Sequence, residues 1–205
     1  MLFLLTGDVQ IGKTRWLERL ASEFSAEGCE VAGVVAPGVW RAAGEGGFEK
    51  LGIDNVLLPD GERVAFARRR DLARAEGSLD PESQSEAAQL AWHISDDALA
   101  RVNAHFGRIA EGMRGGAEEG EAPPRLLVVD ELGRLELERG CGLVAATELL
   151  ARGATARFPH ALAVVRDWLL PRAVERFGAA WGGARAISPD DEARGLVRAA
   201  CGFAS

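Results

Sequence analysis

The stretch Gly7-Asp8-Val9-Gln10-Ile11-Gly12-Lys13-Thr14 constrains this chain more than any other, because it completes the pattern G-x-x-x-x-G-K-[ST] of a phosphate-binding loop. Such a pattern has meaning only between a strand and a helix. Leu2 to Leu5 is a continuous apolar run of the kind a strand buried on both faces needs. After the loop, Trp16, Leu17, Leu20, Ala21 and Phe24 recur at helical spacing, with Arg15, Glu18, Arg19 and Glu23 between them. The expectation is a strand, a glycine turn and an amphipathic helix. In that setting backbone N–H groups and the positive end of the helix dipole converge on an anion.

The motif assigns residues to roles. Gly7, Asp8, Val9, Gln10, Ile11, Gly12, Lys13, Thr14 and Arg15 form the expected nucleotide-binding segment, with Lys13 reaching the β- and γ-phosphates and the Thr14 hydroxyl as a Mg²⁺ ligand. Of 24 lysines and arginines only Lys13 and Lys50 are lysine. A chain that uses arginine almost everywhere keeps a compact ammonium at position 13, where a planar guanidinium does not fit a backbone cradle.

The second informative stretch is Arg125 to Glu131, an apolar run ending in Asp130-Glu131. Opposite a phosphate loop, Asp130 is positioned to hold Mg²⁺ with Thr14, and Glu131 to orient or deprotonate the attacking water. His160 to Val165 reads as another buried strand. Arg166 at its end is a catalytic candidate for sensing the γ-phosphate, with a salt bridge to an acid such as Asp167 as the structural alternative.

Between these stretches the pattern changes. Glu30 to Ala36 reads as a strand. Residues 37–67, with glycines and a Pro59-Asp60-Gly61 turn, read as an antiparallel hairpin or small meander inserted in the α/β pattern. Arg68 to Gly77 reads as an exposed polar loop, and Pro81 to Ser85 as its continuation or a frayed helix. Ser95 is the expected N-cap of a helix carrying Leu99, Val102 and Phe106, and 115–124 is a flexible acidic connector. A helix over 143–151, a short helix over 171–177, a strand over 184–187 and a final capped helix complete the chain. The alternation implies a mainly parallel sheet with helices on both faces in a single domain over 1–205, and together with the phosphate loop a three-layer α/β fold of the P-loop NTPase type with an inserted antiparallel hairpin.

Bulk properties bound the partners. A net charge of −7 speaks against wholesale binding to nucleic acid. No run reaches the roughly 18 apolar residues of a membrane span, and the N-terminal run is too short for a secretory signal, so a cytoplasmic location with no membrane partner is expected. Three cysteines without C-x-x-C spacing suggest neither disulfides nor zinc. His93, His105 and His160 lack metal-ligand spacing and read as packing or surface residues. Trp16 falls on the buried stripe of its helix, whereas Trp40, Trp168 and Trp181 lie in loop-like sequence as candidates for lining a base or substrate pocket.

The combination Thr6 to Thr14 with Asp130-Glu131-Leu132-Gly133-Arg134-Leu135-Glu136 resembles the THEP1-type nucleoside-triphosphatases, whose second motif is a strand ending D-E-hydrophobic-G-basic-hydrophobic-E. The resemblance extends more loosely to Gly33 to Arg41, Gly47-Phe48 and Arg166-Asp167. It implies Mg²⁺-dependent hydrolysis of ATP, GTP and other nucleoside triphosphates with little base selectivity. Val9-Gln10-Ile11 and Arg15 stand where that family usually carries Pro-Gly-Val and a second threonine, so the chain resembles a divergent member. The alternatives are a P-loop kinase of a nucleoside or small metabolite, with its acceptor pocket in the hairpin region, and a nucleotide-dependent switch acting on an unidentified protein partner.

Overall fold

The computed structural model describes residues 1–114 and 125–203, and the acidic connector expected over 115–124 lies outside the described residues. In chain order the elements are β1 (Leu2–Leu5), α1 (Lys13–Ala26), β2 (Glu30–Val35), β3 (Gly38–Ala42), β4 (Phe48–Leu58), β5 (Glu62–Arg69), α2 (Arg70–Ala75) and α3 (Gln84–Ala87). There follow β6 (Trp92–Ile94), α4 (Asp96–Arg114), β7 (Arg125–Leu132), α5 (Val144–Arg152), β8 (His160–Val165), α6 (Leu170–Phe177), β9 (Ala184–Ile187) and α7 (Asp191–Ala200). The described strands join one nine-stranded sheet in the order β6-β5-β4-β2-β7-β8-β1-β9, with β3 paired to β4.

The sheet has two halves. β2, β7, β8, β1 and β9 are all parallel, and the apolar runs of β2, β7, β8 and β1 are buried on both faces because helices cover each side, while Arg185 and Ala186 of the edge strand β9 are exposed. On one side Leu17, Leu20 and Phe24 of α1 and Val197 of α7 pack against Phe3, Leu5, Val128 and Val164. On the other, Val102 and Phe106 of α4, Leu149 of α5 and Phe177 of α6 pack against Leu4, Leu127, Val129 and Ala163. Alternate residues of each strand thus serve opposite layers. Each fully buried Leu or Phe contributes about 1.5–3 kcal/mol. The result is a three-layer α/β arrangement.

The other half, β3 to β6, is antiparallel. β4 has 11 residues, but β2 pairs only with Val56 to Leu58. The rest of β4 runs past the end of β2 and overhangs the C-terminal edge of the parallel half, fixed at the corner by the Asp54 N–H donating to the Pro37 carbonyl at 3.0 Å. This overhang places the hairpin above the strand ends.

Several expectations change here. The antiparallel region extends beyond 67: Arg68 and Arg69 complete β5, and three residues around His93 add β6. Arg68 to Gly77 is therefore a strand end and the helix α2 rather than an exposed polar loop, and Ala73 is fully buried. Three of its four arginines are neutralised locally, Arg68 by Glu76, Arg69 by Glu49 and Asp71, and Arg70 by Glu86. Trp181, expected in a loop, is 2% exposed and anchors the core by donating its Nε1–H to the Leu150 carbonyl at 2.8 Å. It packs in the core and does not line the cavity at the strand ends. Among the described residues no helix is long and apolar enough to cross a membrane.

Candidate active site

The residues singled out from sequence meet at the C-terminal ends of three neighbouring strands, β1, β8 and β7, where an open parallel sheet collects ligands. Residues 7–14 follow β1 directly. Gly7 and Gly12 adopt φ of 124° and 97°, conformations that side-chain-bearing residues rarely adopt, and Gln10 is also at positive φ. Gly12 is the N-cap of α1 and gives it no side-chain cap, so the first N–H groups of that helix are not satisfied by a capping side chain. By contrast α7 is capped by the Asp190 carboxylate accepting from the Ala193 N–H.

Lys13 reaches back across the loop, its Nζ donating to the carbonyls of Gly7 at 2.6 Å and Asp8 at 2.7 Å. Asp8, Val9, Gln10 and Ile11 are exposed at the loop's tip, and Arg15 is exposed on the first turn of α1. The loop is tied down from β8: Asp167 accepts from the Gly7 N–H at 2.8 Å and from the Thr6 hydroxyl. Those two donors, the hydroxyl foremost, hold the Asp167 carboxyl below its ordinary value.

Asp130 is 4% exposed. Its Oδ2 accepts from the Ala36 N–H at 2.8 Å, just past the end of β2, and the Thr14 hydroxyl lies against the same carboxylate. Burial pushes its pKa up to about 7, with Glu131 adding to the rise and the Ala36 and Thr14 donors opposing it. Glu131 stands at φ 73° where the ladder to β8 slips between Val129 and Leu132. A positive φ in a non-glycine residue at a strand end is the kind of local cost found at functional positions. Arg166 donates from Nε and Nη2 to Glu131 Oε1, at 3.2 and 2.8 Å. The ion-pair alternative for Arg166 is thus realised with Glu131 and not with Asp167.

Three contributors were given no role in the site by the sequence, although Glu136 closes the second motif. Glu136, 6% exposed, lies in a π-helical turn over Leu135–Arg139 and accepts from the N–H groups of Gly133 and Leu143 at 2.9 Å each, bracing the segment that follows Glu131. Burial raises its pKa. Lys50 comes from the overhanging β4, with its Nζ 5.3 Å from the centre of the Trp92 ring and 5.9 Å from that of Trp40. Burial lowers its pKa, while the charges of Glu131 and Asp130 pull upward and that of Arg166 pushes downward. Asp167, read in the sequence as a partner for Arg166 and as part of the looser resemblance, is the anchor of the loop.

A cavity of about 520 Å³ opens between the two halves of the sheet. Asp130, Glu131 and Arg166 face it from the parallel half, and Asn55, Phe66 and Trp92 from the antiparallel half. Of the tryptophans expected to line a pocket, Trp168 does so, while Trp40 instead covers Lys50.

For a divalent cation the donor set is two hard oxygens, the Thr14 hydroxyl and the buried Asp130 carboxylate. No group of three or more His, Cys, Asp or Glu side chains able to hold a metal exists among the described residues. That fits Mg²⁺, which binds through one or two carboxylates together with substrate phosphates and water, and does not fit an all-protein metal cage. Comparison with protein-family models, curated proteins and solved structures finds no match for the chain.

Proposed function

We propose that the chain is a Mg²⁺-dependent nucleoside-triphosphatase, in keeping with its resemblance to the THEP1-type enzymes. One observation carries the reading: Lys13, Thr14, Asp130 and Glu131, more than a hundred residues apart in sequence, converge at neighbouring strand ends beside a helix N-terminus without a side-chain cap. The loop amides and Lys13 bind the β- and γ-phosphates, so Lys13 exchanges the Gly7 and Asp8 carbonyls for phosphate oxygens. Thr14 and Asp130 would hold the cation, whose charge would stabilise the developing negative charge on the phosphate oxygens. Both Arg166 bonds go to Oε1 of Glu131, and among the described residues Oε2 has no bonded partner, so Oε2 is the oxygen that takes the proton of the attacking water. Arg166 fixes that carboxylate and stands at the γ-phosphate side.

Phosphate release from ATP and GTP with Mg²⁺ tests the proposal. Glu131→Gln keeps the shape and the Arg166 contact but removes the base, and a fall of about 10²–10⁴-fold in kcat is expected. Turnover unaffected by this substitution would sink the hydrolytic assignment.

A further inference from the structure

The cavity between the two halves is larger than water-using chemistry requires. Its volume of about 520 Å³ falls within the range of about 300–1,000 Å³ typical of sites for small organic molecules. Its walls are mostly apolar and aromatic, with Ile53, Phe66, Trp92 and Trp168 contributing. The Lys50 ammonium lies over the Trp92 ring, 5.3 Å from its centre. Within these walls sits a buried polar group without a partner among the described residues: Asn55 is 1% exposed, and its Oδ1 accepts no hydrogen bond from them. An orphaned amide oxygen in a desolvated wall is costly unless a ligand donor meets it.

The position of the cavity indicates what the ligand would do. Of the loop residues 7–14 Val9 alone lines it, whereas Asp130, Glu131 and Arg166 all face it. Resting on the nucleotide reading above, those three side chains flank the terminal phosphoryl group. The cavity then lies beyond that group, on the side from which an acceptor attacks, rather than on the side of the nucleotide's own base. We infer that the cavity is an acceptor site for a second, nucleoside-type molecule, a flat heteroaromatic ring with an N–H donor for Asn55 and a hydroxyl presented to Glu131, and that the chain transfers the γ-phosphoryl group to it. In that step the acceptor hydroxyl oxygen forms a new bond to the γ-phosphorus as the bond from phosphorus to the β,γ-bridging oxygen breaks. The nucleoside diphosphate leaves with that electron pair, and the hydroxyl proton passes to Glu131.

Calorimetric titration of adenosine, guanosine, cytidine and uridine into the full chain, already saturated with a non-hydrolysable ATP analogue and Mg²⁺, tests the site. Incubation of the same nucleosides with γ-labelled ATP tests the transfer. The expected result is that at least one nucleoside binds beside the analogue and becomes labelled as its monophosphate. Its N-methylated form, lacking the ring-edge N–H, should bind at least tenfold more weakly, because a site built around a hydrogen bond rejects the analogue without it. Asn55→Leu should weaken the parent nucleoside by a similar factor, and the methylated ligand makes the same test on the unaltered protein. Nucleosides that displace the analogue, that fail to bind beside it, or that bind without being labelled overturn the inference. Failure of the analogue itself to bind overturns the nucleotide reading and the transfer with it, so the two failures are read from separate measurements.

Discussion

The parallel and antiparallel halves of the sheet are built on different terms. In the parallel half short strands such as Leu2–Leu5 are buried along their whole length, and each terminus is tied to its neighbours: Asp130 to Ala36, Asp167 to Gly7, Arg166 to Glu131. In the antiparallel half burial is partial and alternating, and β3 is half-buried at its start and exposed from Trp40 on. One half is a rigid frame that fixes charged groups at strand ends. The other is an overhang that contributes a wall, with Asn55, Phe66 and Trp92 on it. On the proposed reading, phosphate chemistry would fall to the frame and choice of a second molecule to the overhang.

The two lysines give the largest test of that division. Lys13 belongs to the frame and Lys50 to the overhang. On the proposed reading Lys13→Ala removes a donor to the phosphates, and kcat/KM for ATP should fall by about 10²–10³-fold or more. Lys50 is held between two indole rings and acts on Asp130 and Glu131 through charge alone, so Lys50→Ala should cost about tenfold or less. Equal losses in steady-state assays would erase the distinction.

Stability should divide along the same line. Gly33 of β2 has φ of 130°, and a Cβ there would lie 1.9 Å from the Val128 carbonyl oxygen of β7. Gly33→Ala combines forbidden backbone with a clash against a buried strand, and a loss of about 3 kcal/mol or more is expected in urea unfolding. Phe48→Ala, at the start of β4 where the ring is 75% exposed, should change stability by less than about 0.5 kcal/mol. A large effect at Phe48 would mean that its ring is buried in solution, and the overhang would then not be the loosely packed half.

The frame was also the legible part of the sequence. Continuous apolar runs ending in Thr6-Gly7, Asp130-Glu131 and Arg166-Asp167 placed β1, β7 and β8 and the site at their ends, since a strand buried on both faces leaves little else for its residues to do. The overhang was legible only as a hairpin. Its continuation through Arg68 and Arg69 was hidden because charged residues there are paired across elements, with Glu49 and Glu76, and pairing of that kind leaves no periodic trace. β6 is too short for any pattern, and Trp181 resembled a loop residue because its helical turn is built from glycine and alanine. Asp167 as anchor, Glu136 as brace and Asn55 as an orphan depend on partners, or the lack of one, that only the folded chain brings into reach.

The smallest expected effect sits where the halves join. His105 of α4 is 3% exposed, with Nε2 3.0 Å from the Gly33 carbonyl of β2 and Asp60, in the β4–β5 turn, and Arg108 as the charges facing it. Burial lowers its pKa below the ordinary 6.5, Arg108 adds to the fall, and the Gly33 carbonyl and Asp60 oppose it. A neutral imidazole in the folded chain and a protonatable one in the unfolded chain mean that the unfolded state binds more protons below pH 6.5. Stability therefore falls as pH drops through 6.5, and the loss levels off below the depressed folded value. His105→Gln retains a donor for the Gly33 carbonyl but cannot take a proton. Urea midpoints at pH 7.5 and 5.5 should differ more in the parent than in the variant, with every other titrating group cancelling in the comparison. Equal differences would show that the seam between frame and overhang is wet enough to accept the charge, and the two halves would then be separable at acid pH.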